Sequence, residues 1–160
     1  MAAHIRIIAV GKLKRDFFAS ACSEYIKRIS RFANIEVVEI KDESDEYSAS
    51  EKELFKIKAI EGEKILNRLD GRNTVVALAI SGKKYDSCAF SALLEASLLK
   101  SSTLDFIIGG SNGLSSDVLA RADYCVSFSD LTFPHMLFRV MLLEQIYRAF
   151  KISTGEKYHK

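Results

Sequence analysis

Two stretches of this 160-residue chain carry residue types whose spacing could do chemistry. Residues 107–114 read IIGGSNGL, an apolar run that breaks into glycines at 109, 110 and 113. Glycines after a strand let backbone approach a ligand closely. A dinucleotide, a nucleoside triphosphate and a plain turn would each leave such a trace. The dinucleotide fingerprint needs GxGxxG directly after the first strand, and a triphosphate loop needs GxxxxGK followed by Ser or Thr. Here the spacing is wrong, the preceding strand is the fourth, and no lysine follows Gly113. Both phosphate readings fail. Two others stay open: a turn on Asn112-Gly113, residues that tolerate positive φ, and a ligand loop that also accounts for Gly109-Gly110. With few charges nearby, the ligand of such a loop would be neutral or cationic.

The second stretch, residues 129–151, reads SDLTFPHMLFRVMLLEQIYRAFK. Thr132 is placed to cap a helix, with Pro134 in its first turn. His135 and Arg139 are four apart and share a face. They read either as a capping histidine with a surface arginine, or as a polar site beside the Ser129–Phe133 loop. In the second case Arg139 is available for a phosphate or a carbonyl oxygen. Met136, Leu137, Val140, Met141, Leu143, Ile146, Tyr147 and Phe150 cover more than one stripe of this helix, and Phe138 and Leu142 lie beyond it. Such a helix needs two partners, one the sheet and the other a second subunit, so a twofold homodimer is expected. The chain then ends Glu156-Lys157-Tyr158-His159-Lys160, a tail able to close over a site.

Composition bounds the rest. Apolar residues at 48% and charged residues at 28% suit a globular protein, and the length suits one domain over residues 1–160. Cys22, Cys88 and Cys125 fit no zinc spacing and form no even framework. They are expected as buried free thiols, with no metal site. His4 and Arg6 interrupt any signal-peptide core, and no apolar stretch approaches the ~20 residues that span a bilayer. The expectation is a cytoplasmic protein without a membrane segment. The net charge of +2 hides an asymmetry. Residues 1–31 hold seven basic side chains against Asp16 and Glu24, residues 36–53 hold eight acids against Lys41 and Lys52, and the end is basic again. That pattern permits a phosphate-rich partner on one face.

These residues must be positioned by alternating elements. Strands are predicted at His4–Val10, Ile35–Ile40, Thr74–Ile80, Asp105–Ile108 and Tyr124–Phe128. Helices are predicted over Asp16–Arg31, from a Ser50/Glu53 capping box to Leu69, and over Ala89–Lys100, Ser115–Ala122 and about Pro134–Lys151. The polar segment KDESDEYSAS (41–50) reads as a loop. This order implies an α/β fold, a mostly parallel sheet with helices on both faces. Ligands bind such sheets beyond the carboxyl ends of the strands. Ser81–Lys84, Gly109–Gly113 and Ser129–Phe133 all leave strand ends.

Taken together, IIGGSNGL, LSSDVLARAD, SFSDLTFPHMLFRVMLLEQIYRAFKI and the ending GEKYHK resemble the ribosomal RNA large subunit methyltransferase H family. The opening IIAVGKLK and the segment VALAISGK extend the likeness over the whole chain. The family often ends YHR, so Lys160 keeps the charge but loses the guanidinium fork. The resemblance implies a SPOUT-class α/β fold with a C-terminal trefoil knot, acting as a homodimer. It implies methylation of N3 of a pseudouridine in 23S rRNA, in the helix 69 region, on the large subunit or 70S ribosome. It further implies S-adenosyl-L-methionine as cofactor, held by Leu78, Gly109, Gly110 and the run Phe128, Ser129, Asp130, Leu131, Thr132 and Phe133. His135, Arg139, Tyr158, His159 and Lys160 would face the target nucleoside, with the tail reaching a partner's site. Lys12, Lys14, Arg15, Lys83, Lys84 and Lys160 are the candidates for RNA phosphates.

Two rival readings are a non-catalytic dimer that binds RNA or ribosomes through the same basic surface, and a nicotinamide oxidoreductase. The failed fingerprint weighs against the second. A binding module has no reason to keep the glycine loop, the TFPH segment and the YHK tail together.

Overall fold

A computed structural model describes residues 3–44 and 49–160. Among these residues five strands alternate with five helices: β1 (Ala3–Val10), α1 (Asp16–Ile29), β2 (Ala33–Ile40), α2 (Glu51–Leu66), β3 (Thr74–Lys84), α3 (Ser87–Lys100), β4 (Thr103–Ile108), α4 (Ser116–Arg121), β5 (Tyr124–Ser127) and α5 (His135–Ser153). The strands form one sheet in the order β2-β1-β4-β3-β5, and every pairing is parallel. Parallel strands need crossover connections, and the helices supply them on both faces.

The pleat divides the side chains between two cores. Ile5, Ile7 and Ala9 of β1 join Val76, Leu104 and Phe106 beneath α1, α3 and α5, through Cys22, Phe90 and Leu142. Ile8 and Val10 point the other way, with Val75 and Ile107, toward Ile65 of α2 and Val118 of α4. Helix α5 therefore finds its second partner within the chain as well, because α1 and α3 flank it on the sheet face. Tyr25 of α1 meets Tyr147 of α5, with ring centroids 6.4 Å apart, and Phe32 stacks on Phe150 at 5.2 Å.

Several local expectations change. The capping box at Ser50 forms as predicted, with Glu53 returning a bond to the Ser50 amide, and α2 ends at Leu66 rather than Leu69. Thr132 does not cap α5; Pro134 occupies the N-cap without a side-chain bond. The loop at 41–50 lies partly outside the described residues, since 45–48 are not among them. Of the three thiols only Cys22 is buried; Cys88 is exposed and Cys125 half-buried. Ser81-Gly82 does not end β3, which runs on to Lys84 and pairs with β5 on both sides of a register shift. Gly82 is what permits this: a Cβ there would sit 2.7 Å from the backbone of Cys125 and Val126. A side chain would push the two strands apart.

Candidate functional site

The middle of β3 and the carboxyl ends of β4 and β5 meet at a hollow of about 790 Å³, inside the roughly 300–1,000 Å³ range of small-molecule sites. Leu78, Ala79 and Ile80 of β3 form one wall, and the 108–113 segment after β4 forms a second. The third is the connection from β5 to α5, which contributes Phe128, Ser129, Leu131, Thr132, Phe133 and His135. Three segments far apart in sequence converge because parallel topology delivers every strand end to the same edge.

Each wall has a local cause. Asn112-Gly113 turns the chain as expected, but Gly113 alone takes positive φ (+82°), and its amide donates to the Gly110 carbonyl at 3.1 Å. Phe128 is clamped between Phe138 of α5 at 5.0 Å and Phe90 of α3 at 5.8 Å, the latter edge-on. Offset and edge contacts of this kind hold a ring in one orientation. Ser129 folds its own loop, its hydroxyl accepting the Leu131 amide at 3.0 Å. Ile80 is 52% exposed at the mouth. The hollow is mostly apolar, with backbone polar groups at the glycine loop.

His135 and Arg139 are close, yet they divide the work. His135 lines the hollow, and its buried Nδ1 has no hydrogen-bond partner among the described residues. Burial, then the positive charges of Arg139 and Lys14, hold its pKa below the usual imidazole value against Asp42, which raises it. Arg139 is not a surface arginine: at 1% exposure it is among the most buried side chains. Its guanidinium donates to the Gly11 carbonyl at 3.1 Å and to Glu39 at 3.3 Å, from behind His135. The loop after β1 thus sits against the first turn of α5, and Lys12, Lys14 and Arg15 stand exposed on it.

The tail lies elsewhere. Tyr158 donates its phenol to Glu144 at 3.0 Å, packs edge-on against Tyr147 at 4.9 Å, and lies under the Arg148 guanidinium. Burial, followed by the Glu144 contact, pushes the Tyr158 phenol up to about 12. His159 pairs its Nδ1 with Arg148 at 3.3 Å and lines a second hollow of about 740 Å³, with Glu144, Gln145 and Met141. The two hollows share Ser127 and Phe128.

Of the sequence-predicted site residues, Leu78, Gly109, Gly110, Phe128, Ser129, Leu131, Thr132, Phe133 and His135 come together around the first hollow. Asp130 does not line it; its carboxylate is exposed and paired with Lys84. Arg139, Tyr158, His159 and Lys160 also stand outside its lining. Lys83 lies over the Tyr85 ring at 5.0 Å. Sequence reasoning missed Glu39, Gly11 and Glu144 as anchors. Only the Glu144/Arg148 spacing of four offered a signal, now a pair at 2.6 Å.

Comparison with known proteins gives this geometry its family. A family model described as "Predicted SPOUT methyltransferase" matches residues 3–159. The ribosomal RNA large subunit methyltransferase H of Clostridium acetobutylicum is 49% identical over 158 residues, covering 98% of this chain and 99% of that protein. Its counterpart in Clostridium botulinum (strain Langeland) is 50% identical over the same shares. The chain belongs to the ribosomal RNA large subunit methyltransferase H family of SPOUT methyltransferases. Among solved structures, a probable methylase family protein from Haemophilus influenzae Rd KW20 superposes with a TM-score of 0.59. That match covers 100% of this chain and 72% of the other at 12% identity, so it speaks for the fold alone. The three-walled hollow is the candidate site.

Proposed function

We propose that this chain transfers a methyl group from S-adenosyl-L-methionine to N3 of a pseudouridine in 23S rRNA, in the helix 69 region of an assembled ribosome, and does so as a homodimer. The observation that carries the reading is the hollow itself, built from a glycine loop and an aromatic strap at the carboxyl ends of β4 and β5, beside the middle of β3. Its fit to the cofactor is chemical. Apolar walls suit adenine and the ribose edge, and backbone N–H and C=O groups suit the polar rim of the base. No cluster of basic side chains asks for a phosphate. The C-terminal trefoil knot, the single domain over residues 1–160 and a cytoplasmic location belong to the same reading.

Bound there, adenosylmethionine supplies a methyl group already activated as a sulfonium. What remains for the protein is placement and proton removal. Leu78, Gly109, Gly110, Phe128, Ser129, Leu131, Thr132 and Phe133 bind and exclude water, and His135 faces the nucleoside. Arg139 positions: it fixes Gly11 and, through it, the loop against His135. The target imide must lose its N3 proton before the nitrogen attacks. Tyr158 is a poor acceptor with its phenol at about 12 and donating to Glu144. His159 is the acceptor in this reading, offered by the tail of the second protomer once its Nδ1, which accepts from Arg148, is released. Lys12, Lys14, Arg15, Lys83 and Lys160 meet RNA phosphates, with Lys84 released from Asp130 to join them.

Calorimetry with adenosylmethionine, adenosylhomocysteine and NAD tests the cofactor. Mass mapping of 23S rRNA from ribosomes of a strain lacking the gene, after incubation with the protein, tests the target. Binding of the adenosyl compounds and one new methyl on a helix 69 pseudouridine are expected. No binding of either adenosyl compound would sink the proposal.

A further inference from the structure

Helix α2 has no residue in the lining of the hollow, yet one of its side chains is aimed at the glycine loop. Glu61 is 4% exposed, an unusual burial for a carboxyl. Its Oε1 accepts the Glu43 amide at 3.0 Å. The other oxygen, Oε2, is buried with no hydrogen-bond partner among the described residues. What it faces is Gly110: a Cβ built there would lie 3.2 Å from Oε2, 3.5 Å from Oε1 and 3.1 Å from Val10 Cγ1. The carboxyl thus fills the space that a side chain on Gly110 would need.

The next residue, Gly62, lies close against the chain beyond the other end of the same loop. A Cβ on Gly62 would fall 2.2 Å from the Ser115 hydroxyl, which caps α4 by accepting the Val118 amide at 3.3 Å. Gly110 and Ser115 bracket the turn that closes the cofactor-side wall. One helical turn along, Lys64 bonds Glu43 at 2.5 Å and the Lys41 carbonyl at 3.3 Å, tying the chain after β2 to the same helix. The residue whose amide Glu61 accepts is therefore itself held to α2. Burial raises its pKa most, opposed by the Glu43 amide; Asp42 and Glu43 raise it further and Lys64 lowers it. A carboxyl inclined toward its neutral form suits a position against Val10 and a glycine Cα.

We propose that Glu61 is a positioning residue of the methyltransferase, holding the 109–113 loop from behind in the shape that lines the cofactor hollow. The inference rests on reading that hollow as the adenosylmethionine site. Glu61 touches neither cofactor nor nucleoside, so its effect is on cofactor affinity and not on the chemical step.

Three variants separate this from a general loss of stability. Glu61→Ala should weaken adenosylhomocysteine binding by about tenfold, raising KM for adenosylmethionine while leaving kcat at saturation nearly unchanged. Glu61→Gln keeps the volume and an acceptor for the Glu43 amide, and should restore affinity to within about threefold. Ile65→Ala lies one turn on, in the core under the same helix. It should lower the melting temperature at least as much and leave cofactor affinity alone. A readout independent of cofactor is amide exchange at Gly113, whose N–H bonds Gly110: it should speed up in Glu61→Ala and not in Ile65→Ala. If the wild-type protein binds adenosylhomocysteine and Glu61→Ala binds it equally well, Glu61 has no positioning role. Equal exchange at Gly113 in the two alanine variants overturns it too. Failure of the wild-type protein to bind strikes instead at the cofactor reading.

Discussion

The residues nearest the chemistry are governed by burial more than by their intrinsic character. His135 has its pKa lowered first by burial and then by Arg139 and Lys14, so the folded protein holds fewer protons there than the unfolded chain. The stability tied to this group is complete above about pH 6.5, the unfolded value, and is lost as pH falls through the lower folded value. The imidazole should titrate below 6.5 in a two-dimensional NMR series, and Lys14→Glu should move its midpoint upward. A midpoint at or above 6.5 in the wild-type protein would contradict the cause assigned here. Arg139 raises a matching point about stability. Removing one partner of a buried pair costs roughly 3–5 kcal/mol, because the other charge is left behind. Glu39 is partly exposed, so Arg139→Ala should cost less, about 2–3 kcal/mol in denaturant melts. Arg139→Lys should recover only part of it, since a single ammonium does not span Gly11 and Glu39 as the fork does.

At the scale of elements, the alternation of strands and helices was legible because each has its own apolar period. Ile5, Ile7 and Ala9 against Ile8 and Val10 is period two, and α2 is framed by a capping box visible as Ser50/Glu53. Gly82 was misleading for a physical reason. Glycine after an apolar run signals a turn as often as a close approach, and only the neighbouring backbone of β5 decides between them. Thr132 looked like a cap since capping preferences are local, whereas the strap here is shaped by cavity walls instead. The tail shows the same dependence on distant partners. Glu156 is gripped by Lys151 at 2.6 Å and by Arg31, which together hold its carboxyl at about 2. A depressed acid contributes above its unfolded value of 4.5 and loses that contribution as pH falls toward 2. The Tyr158 ring resonances, shifted by the Tyr147 ring, should therefore drift toward random-coil positions between pH 4.5 and 2. Glu156→Gln should show the drifted positions already at neutral pH. Unmoved resonances in that variant would mean the aromatic contacts alone hold the tail.

Across the whole molecule, the walls of the hollow were readable from sequence and their division from the tail was not. Gly109 and the Phe128–Phe133 strap follow strand ends, which parallel topology gathers without further instruction. Leu78, by contrast, is implied by the family resemblance and lies within β3, and the expected Ser81–Lys84 loop is strand and lines no part of the hollow. The tail has no such rule, because its resting place depends on Tyr147, Glu144 and Arg148 presenting one face of α5. That face puts His159 in a second hollow, separated from the first by Ser127 and Phe128. In the proposed homodimer, one chain supplies the hollow and the other supplies His159. The consequence is a complementation test. Gly109→Val obstructs the hollow, and His159→Ala removes the proton acceptor; each homodimer should be inactive. Mixed under conditions that exchange subunits, half of the dimers become heterodimers, and one of their two sites combines an intact hollow with an intact tail. Activity should return to about a quarter of the wild-type value. A tail acting on its own chain's hollow predicts none, since every hollow would then carry one defect or the other. Recovery tracking the heterodimer fraction, read by native mass spectrometry alongside methyl incorporation, assigns the shared site to the pair.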